Sequence, residues 1–111
     1  MKRNVLIIGA GAVAHVVCHK IAQNNDCFGN IYLGSRTLKN CDEILESVQK
    51  KNSYKIPDNK IVSKQVDVFK NDELTKLIKE LNISIVINVA SAFCNMSILE
   101  ACIQTGSAYI D

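Results

Sequence analysis

The sequence predicts an α/β protein built on a doubly wound, mostly parallel sheet that runs out after about five strands. Three observations carry that expectation. Short apolar runs alternate with helical apolar stripes from end to end, the pattern of a sheet covered by helices on both faces. The first run, Val5-Leu6-Ile7-Ile8, is apolar at every position, as in a strand buried on both sides. It passes directly into Gly9-Ala10-Gly11, a turn that opens a helix. The right-handed rule for parallel crossovers then leaves few topologies.

The elements follow in order. Val5 to Ile8 is the first strand. After the turn, Val13, Val17 and Ile21 form one helical stripe, with Ala14, Cys18 and Ala22 beside it, and the helix stops near Asn24-Asn25. Ile31-Tyr32-Leu33 is the second strand. Thr37 or Asn40 can cap the next helix, with Glu43 where a capping box would place it; its stripe is Cys41, Ile44, Leu45 and Val48. Lys51 to Asn59 carries Pro57-Asp58 and reads as loop. Lys60 to Val66 is a third strand, less apolar and therefore nearer the sheet edge. Asn71 can cap a helix striped by Leu74, Leu77, Ile78 and Leu81. Ile83 to Val89 is a strongly apolar fourth strand. Met96, Leu99 and Ile103 mark a last helix ending at Gly106, a C-cap. Ala108-Tyr109-Ile110 begins a fifth strand. Such sheets usually continue, so Asp111 is expected to be a cut within a longer chain.

Composition narrows the function. The 111 residues fit one small domain, 1–111, short for a whole dehydrogenase. Thirteen basic against eleven acidic residues leave +2, too weak for a nucleic-acid surface. No run is long enough to span a membrane, and four residues before the first apolar run cannot lead a signal peptide. The five cysteines lack a CxxC and lie mostly among apolar neighbours, which fits a reducing cytoplasm better than a disulfide framework. Cysteines and histidines are too scattered for a zinc set, so no metal is expected; His15 and His19 share a helix face as polar surface residues.

Gly9-Ala10-Gly11-Ala12-Val13-Ala14 fits G-x-G-x-x-[GA] in its required context, strand before and helix after. Gly9 permits the tight turn, Gly11 lets a pyrophosphate approach the backbone, and Ala14 allows close helix–strand packing. The helix start offers free N–H groups to phosphate. This is the Rossmann-type dinucleotide fingerprint. There is no G-x-x-x-x-G-K-[ST], which disfavours a P-loop phosphotransferase. An NAD-specific site places an acid at the end of the second strand to bind the ribose 2′-OH. Here the residues are Ser35-Arg36-Thr37. Arg36 can fork around a 2′-phosphate and stack on adenine, and Ser35 and Thr37 can donate to it, so NADP(H) is the expected cofactor. Asp67 and Val68 follow the third strand, placed for the adenine. Val89, Ala90 and Ser91 end the fourth strand where the nicotinamide half would lie, with Asn88 orienting the crossover. Tyr109 reads as core or rim, and Cys94 lies beside the cleft without an assignable base.

At Gly9–Val16, Ser35-Arg36-Thr37 and above all Asn88-Val89-Ala90-Ser91-Ala92-Phe93-Cys94-Asn95, with Leu99-Glu100-Ala101-Cys102, Gly106 and Tyr109-Ile110-Asp111 following, the chain resembles the saccharopine dehydrogenase family, and within it the bacterial carboxynorspermidine dehydrogenases. The resemblance spans all 111 residues but covers only the amino-terminal portion of such enzymes. It implies an NADPH-dependent oxidoreductase that condenses L-aspartate semialdehyde with 1,3-diaminopropane or putrescine through an imine. It also implies that Phe93, Cys94 and Asn95 lie near the reacting end. A later catalytic and substrate-binding domain would supply the rest, including much of a homodimer contact. Ala12 stands where relatives commonly have glycine, a position that tolerates a methyl. Alone, this chain is expected to turn over nothing. A saccharopine-type dehydrogenase of lysine metabolism and a non-catalytic NAD(P)-sensing module share these features.

Overall fold

Alternation along the first strand decides the layers. In the computed structural model, which describes residues 2–111, β1 (Asn4–Ile8) lies at the centre of a sheet with β2 (Ile31–Ser35), β3 (Ile61–Gln65), β4 (Ile83–Asn88) and β5 (Ala108–Ile110). Successive side chains of a strand face opposite ways. Val5 and Ile7 therefore enter one apolar cluster and Leu6 and Ile8 the other. The first cluster is closed by α1 (Ala12–Gln23) and α2 (Leu38–Gln49), the second by α3 (Asn71–Glu80) and α4 (Asn95–Thr105). Val5, Leu6 and Ile7 are wholly buried, each contributing about 1.5–3 kcal/mol of apolar transfer.

All four pairings are parallel, and the strand order is β3-β2-β1-β4-β5. Val5 pairs with Ile31 on one side and Ile85 on the other. The chain steps outward from β1 to β3, then returns to the other side of β1 as β4. The order reverses between β1 and β4, and the carboxyl ends of those strands open the crevice where such sheets bind ligands. Among the described residues, no helix is long and apolar enough to cross a membrane.

The strands sit as expected, within a residue at each end, except that β2 runs two residues past Leu33 to Ser35. β3 is at the sheet edge, as its weaker apolar character implied. The α2 stripe of Cys41, Ile44, Leu45 and Val48 is buried as a unit, and Gly106 caps α4 at φ 75°.

The α4 stripe differs in phase from the expectation: the buried residues are Ile98, Ala101 and Cys102, while Met96 and Ile103 are 75 % and 73 % exposed. On α1 the two adjacent expected stripes share the burial: Ala14, Cys18, Ile21 and Ala22 are buried, and Val13 is exposed. A helix lying close on a sheet or on another helix turns its small residues inward, and apolar size alone points to the neighbouring stripe.

Two caps also differ. α2 starts after Thr37, one of the two expected caps, whose side chain makes no capping bond; Asn40 lies inside the first turn and no capping box forms. Asn71 is the first residue of α3, and its side-chain amide donates to the Ser97 carbonyl at 2.9 Å, joining α3 to α4. Asp72 and Glu73 supply negative charge to the α3 amino end instead.

α1 and α2 also meet through polar groups. His15 is exposed and His19 half-buried, as polar surface residues, and each places Nε2 near Ser47 Oγ on α2, while His19 Nδ1 lies 2.8 Å from the Tyr54 hydroxyl.

Candidate functional site

The site is built where β1 ends. Its last carbonyl, on Ile8, accepts from the amide of Val89 at 2.9 Å, and the amide of Gly9 donates to the carbonyl of Gly34 at 2.9 Å. The turn is thus pinned to β4 and β2 at once. Gly9 has φ 130°, and a Cβ there would lie 3.0 Å from the Ala90 nitrogen. Glycine is required because the β4 crossover passes directly against it. Gly11 differs: its backbone is extended, and a Cβ would meet nothing within 4 Å. Its bareness serves no packing need and keeps the space before the helix open.

No side chain caps α1. The first helical bond runs from the His15 amide to the Gly11 carbonyl at 3.1 Å, which leaves the amides of Ala12, Val13 and Ala14 without helical acceptors. Such donors, with the helix dipole, suit an anion.

A cleft of about 380 Å³ runs over this turn. Its floor is Ile8, Gly9, Ala10 and Gly11. One end is walled by Ser35, Arg36, Val66, Val68 and Phe69, the other by Val89, Ala90, Ser91 and Cys94. The three segments singled out in the sequence therefore converge on one space. Ala12, Val13, Ala14, Thr37, Asp67, Phe93 and Asn95 do not line it. Ala12 borders a neighbouring hollow of about 450 Å³ between the turn and the start of α2, with His15, Asn40 and Glu43. Ala14 is wholly buried under α1. A larger hollow, about 650 Å³, lies by the loop before β3 among Gln49, Lys51, Lys55, Pro57 and Asn59; it has neither a glycine turn nor open helix amides.

At the β2 end, Arg36 is exposed, with no carboxylate within ion-pair distance among the described residues; the ion pairs found are the exposed helical ones Lys50–Glu46 and Lys76–Glu80. The Thr37 amide donates to Ser35 Oγ at 3.3 Å, and Gln65 Nε2 donates to the Arg36 carbonyl at 3.1 Å. The backbone is held while the guanidinium is left unpaired. Beside it, Asp67 Oδ1 accepts from the Phe69 amide at 3.1 Å. That turn leaves the Phe69 ring 54 % exposed on the cleft wall. Sequence reading missed Phe69. Its signal was an aromatic residue just past a strand's carboxyl end, in a stretch with no other reason to carry one.

At the β4 end, Asn88 is one of two buried polar side chains among the described residues, 5 % exposed. Its Oδ1 accepts from the Ala90 amide at 3.0 Å, which bends the crossover as expected. Its Nδ2 donates to Asn95 Oδ1 at 2.6 Å and lies 3.4 Å from the Tyr109 hydroxyl. That hydroxyl in turn lies 3.1 Å from both Asn95 Oδ1 and Asp111 Oδ2, so it can donate to one of them. Burial, then the nearby Asp111, raises the Tyr109 pKa against the lowering effect of Asn88. Cys94 is buried at 5 % and Phe93 is 90 % exposed. Cys94 lines the cleft, and its chain neighbours Phe93 and Asn95 do not.

The family model described as "Saccharopine dehydrogenase NADP binding domain" matches residues 5–111. A carboxynorspermidine synthase from Vibrio alginolyticus is 47 % identical over 107 residues, 96 % of this chain and 26 % of that protein. One from Vibrio cholerae is 42 % identical over 97 % of this chain and 26 % of its own length. The chain thus spans about a quarter of the length of these relatives. Among solved structures, the apo saccharopine dehydrogenase (L-Glu forming) from Saccharomyces cerevisiae superposes with a TM-score of 0.75 at 21 % identity, over 96 % of this chain and 21 % of that one. At that identity the likeness speaks for the fold.

Proposed function

Because the chain belongs to the saccharopine dehydrogenase NADP binding domain family, we propose that it forms the NADP(H)-holding part of an oxidoreductase that reductively condenses L-aspartate semialdehyde with a diamine, 1,3-diaminopropane or putrescine. The observation that carries this reading is the single cleft joining the glycine turn, Ser35-Arg36 and the end of β4. The two Vibrio relatives, named carboxynorspermidine synthases, supply the reaction class.

In this reading each segment has one task. The free amides of Ala12, Val13 and Ala14 receive the pyrophosphate, and the open space before Gly11 lets it approach. Arg36 forks around the 2′-phosphate with Ser35 and Thr37 beside it. An acid at that place would repel the same group. Adenine lies against Val68 and the Phe69 ring, with Asp67 near its amino group. Val89, Ala90 and Ser91 line the nicotinamide half, and Phe93, Cys94 and Asn95 face the substrate side. The bound nicotinamide supplies the hydride for an imine carbon. These residues orient it and exclude water from one face. The aldehyde and diamine sites and the homodimer contact belong to chain beyond this domain, and the setting is the cytoplasm.

The test is calorimetric titration of the chain with NADPH and NADH, repeated with Arg36→Ala. NADPH is expected to bind more tightly, and the preference to collapse in the variant. Equal affinity of the unmodified chain for the two nucleotides would sink the cofactor assignment.

A further inference from the structure

Two histidines on α1 and a serine on α2 meet outside the cofactor cleft. His15 Nε2 and His19 Nε2 are 3.1 Å apart, and Ser47 Oγ lies 3.2 Å from the first and 3.1 Å from the second. The three donor atoms form a nearly equilateral triangle. The imidazole planes are within 8° of parallel, with ring centres 4.8 Å apart.

Hydrogen bonding accounts for two edges of this triangle: one imidazole Nε2–H can donate to Ser47 Oγ, whose hydroxyl donates to the bare Nε2 of the other ring. The third edge, between the two Nε2 atoms at 3.1 Å, has no proton of its own. A cation would take all three lone pairs at once. With metal–nitrogen bonds of about 2.1 Å, two nitrogens 3.1 Å apart subtend about 95° at an ion, close to octahedral and within reach of a distorted tetrahedral site.

The outer partners agree. Bare Nε2 on His19 puts the ring proton on Nδ1, and Nδ1 lies 2.8 Å from the Tyr54 hydroxyl, which can accept it. Ligating imidazoles characteristically donate their second N–H in this way. Ser47 also borders a solvent-open hollow of about 460 Å³ with Glu43, Glu46, Lys50 and Lys51, which leaves room for water to complete the coordination.

We propose that His15, His19 and Ser47 form a site for a divalent transition-metal ion of the zinc class, tying α1 to α2. Imidazole donors select zinc, nickel and copper over magnesium or calcium. The site involves no residue of the cofactor cleft and stands or falls independently of the cofactor assignment. No set of three or more histidine, cysteine and acidic side chains is present among the described residues, so the hydroxyl is the third protein donor and affinity rests on the imidazole pair.

The test is titration of the untagged chain with Zn²⁺ in a non-chelating buffer, in a Cys27→Ser background that removes the exposed thiol. One saturating equivalent is expected, with a rise in melting temperature reversed by EDTA. His15→Gln and His19→Gln should each abolish saturable binding, and Tyr54→Phe should weaken it about tenfold or more through the lost outer partner. All variants should melt like the parent in EDTA. Imidazole nitrogen NMR on the parent gives a readout that needs no variant: the two Nε2 signals should shift together and complete at one equivalent. Absence of saturable binding, binding retained in either histidine variant, or imidazole signals unmoved by Zn²⁺ would overturn the site.

Discussion

Two glycines stand two residues apart in one turn, and the structure assigns them opposite sensitivities to the same methyl group. At Gly9, alanine must adopt φ near 130° with its Cβ 3.0 Å from the backbone of Ala90 and Val89. The backbone conformation costs about 1–3 kcal/mol. Crowding against main chain that cannot rotate away adds about 1–3 kcal/mol. The total, about 2–6 kcal/mol, is a large part of the 5–15 kcal/mol that holds a domain folded. At roughly 4–8 °C per kcal/mol, Gly9→Ala should lower the melting temperature by about 10 °C or more. At Gly11 the backbone is already extended and nothing lies within 4 Å of a new Cβ. Alanine there restricts the unfolded chain and should stabilise by about 0.4–1 kcal/mol, a gain of a few degrees. The same methyl stands before the free amides of α1, where the pyrophosphate is proposed to lie. Lost charge-assisted hydrogen bonds of about 1.5–3 kcal/mol should weaken NADPH by about tenfold or more. The assay is thermal melting of both variants by circular dichroism, with and without millimolar NADPH. Gly11→Ala should melt at or above the parent yet lose the NADPH-induced rise. The reasoning fails if Gly11→Ala melts clearly below the parent, or if Gly9→Ala melts within about 2 °C of it.

Other expectations follow from the same coordinates. Phe69→Ala should weaken NADPH and NADH alike by about 1–3 kcal/mol, since adenine stacking is common to both, whereas Arg36→Ala should weaken NADPH much more than NADH; the pair of titrations separates the two contacts. Cys27 is the exposed thiol, so a maleimide at pH 7.5 should label the folded chain once, at Cys27, and label all five cysteines only in denaturant. Burial pushes Cys18 from 9.0 to about 12, and Cys41 and Cys102 to about 11. Their stabilising effect is complete below pH 9 and lost between pH 9 and those raised values, because the unfolded thiols ionise first. Melting temperature should therefore fall above pH 9, and Cys18→Ala should fall less steeply than the parent; parallel slopes would refute the assignment.

Much of the fold was legible because its signals are local. Four consecutive apolar residues before Gly9 mark a buried strand wherever they occur, and the α2 stripe at helical spacing can bury itself in only one way. The missing acid after Leu33 is likewise a statement about residue types at a known distance from the glycine turn. The family was readable from the Asn88–Asn95 run for the same reason. The inner face of α4 was not, because which stripe turns inward depends on how closely the neighbouring element lies. Ala101 and Cys102 are small, and only the packed structure shows that smallness was what the interface required.

The sequence by itself determined the order of strands and helices, the glycine turn between β1 and α1 and the absence of a carboxylate after Leu33. Tertiary structure alone decided three things. Gly9 is confined by β4, which lies next to β1 only because the sheet order reverses there. Phe69 joins Arg36 on one cleft wall. Ser47 and Tyr54 reach two histidines some thirty residues earlier in the chain. Each depends on elements distant in sequence meeting at set angles and distances. Such meetings follow from burying several apolar faces at once, and no local period encodes them.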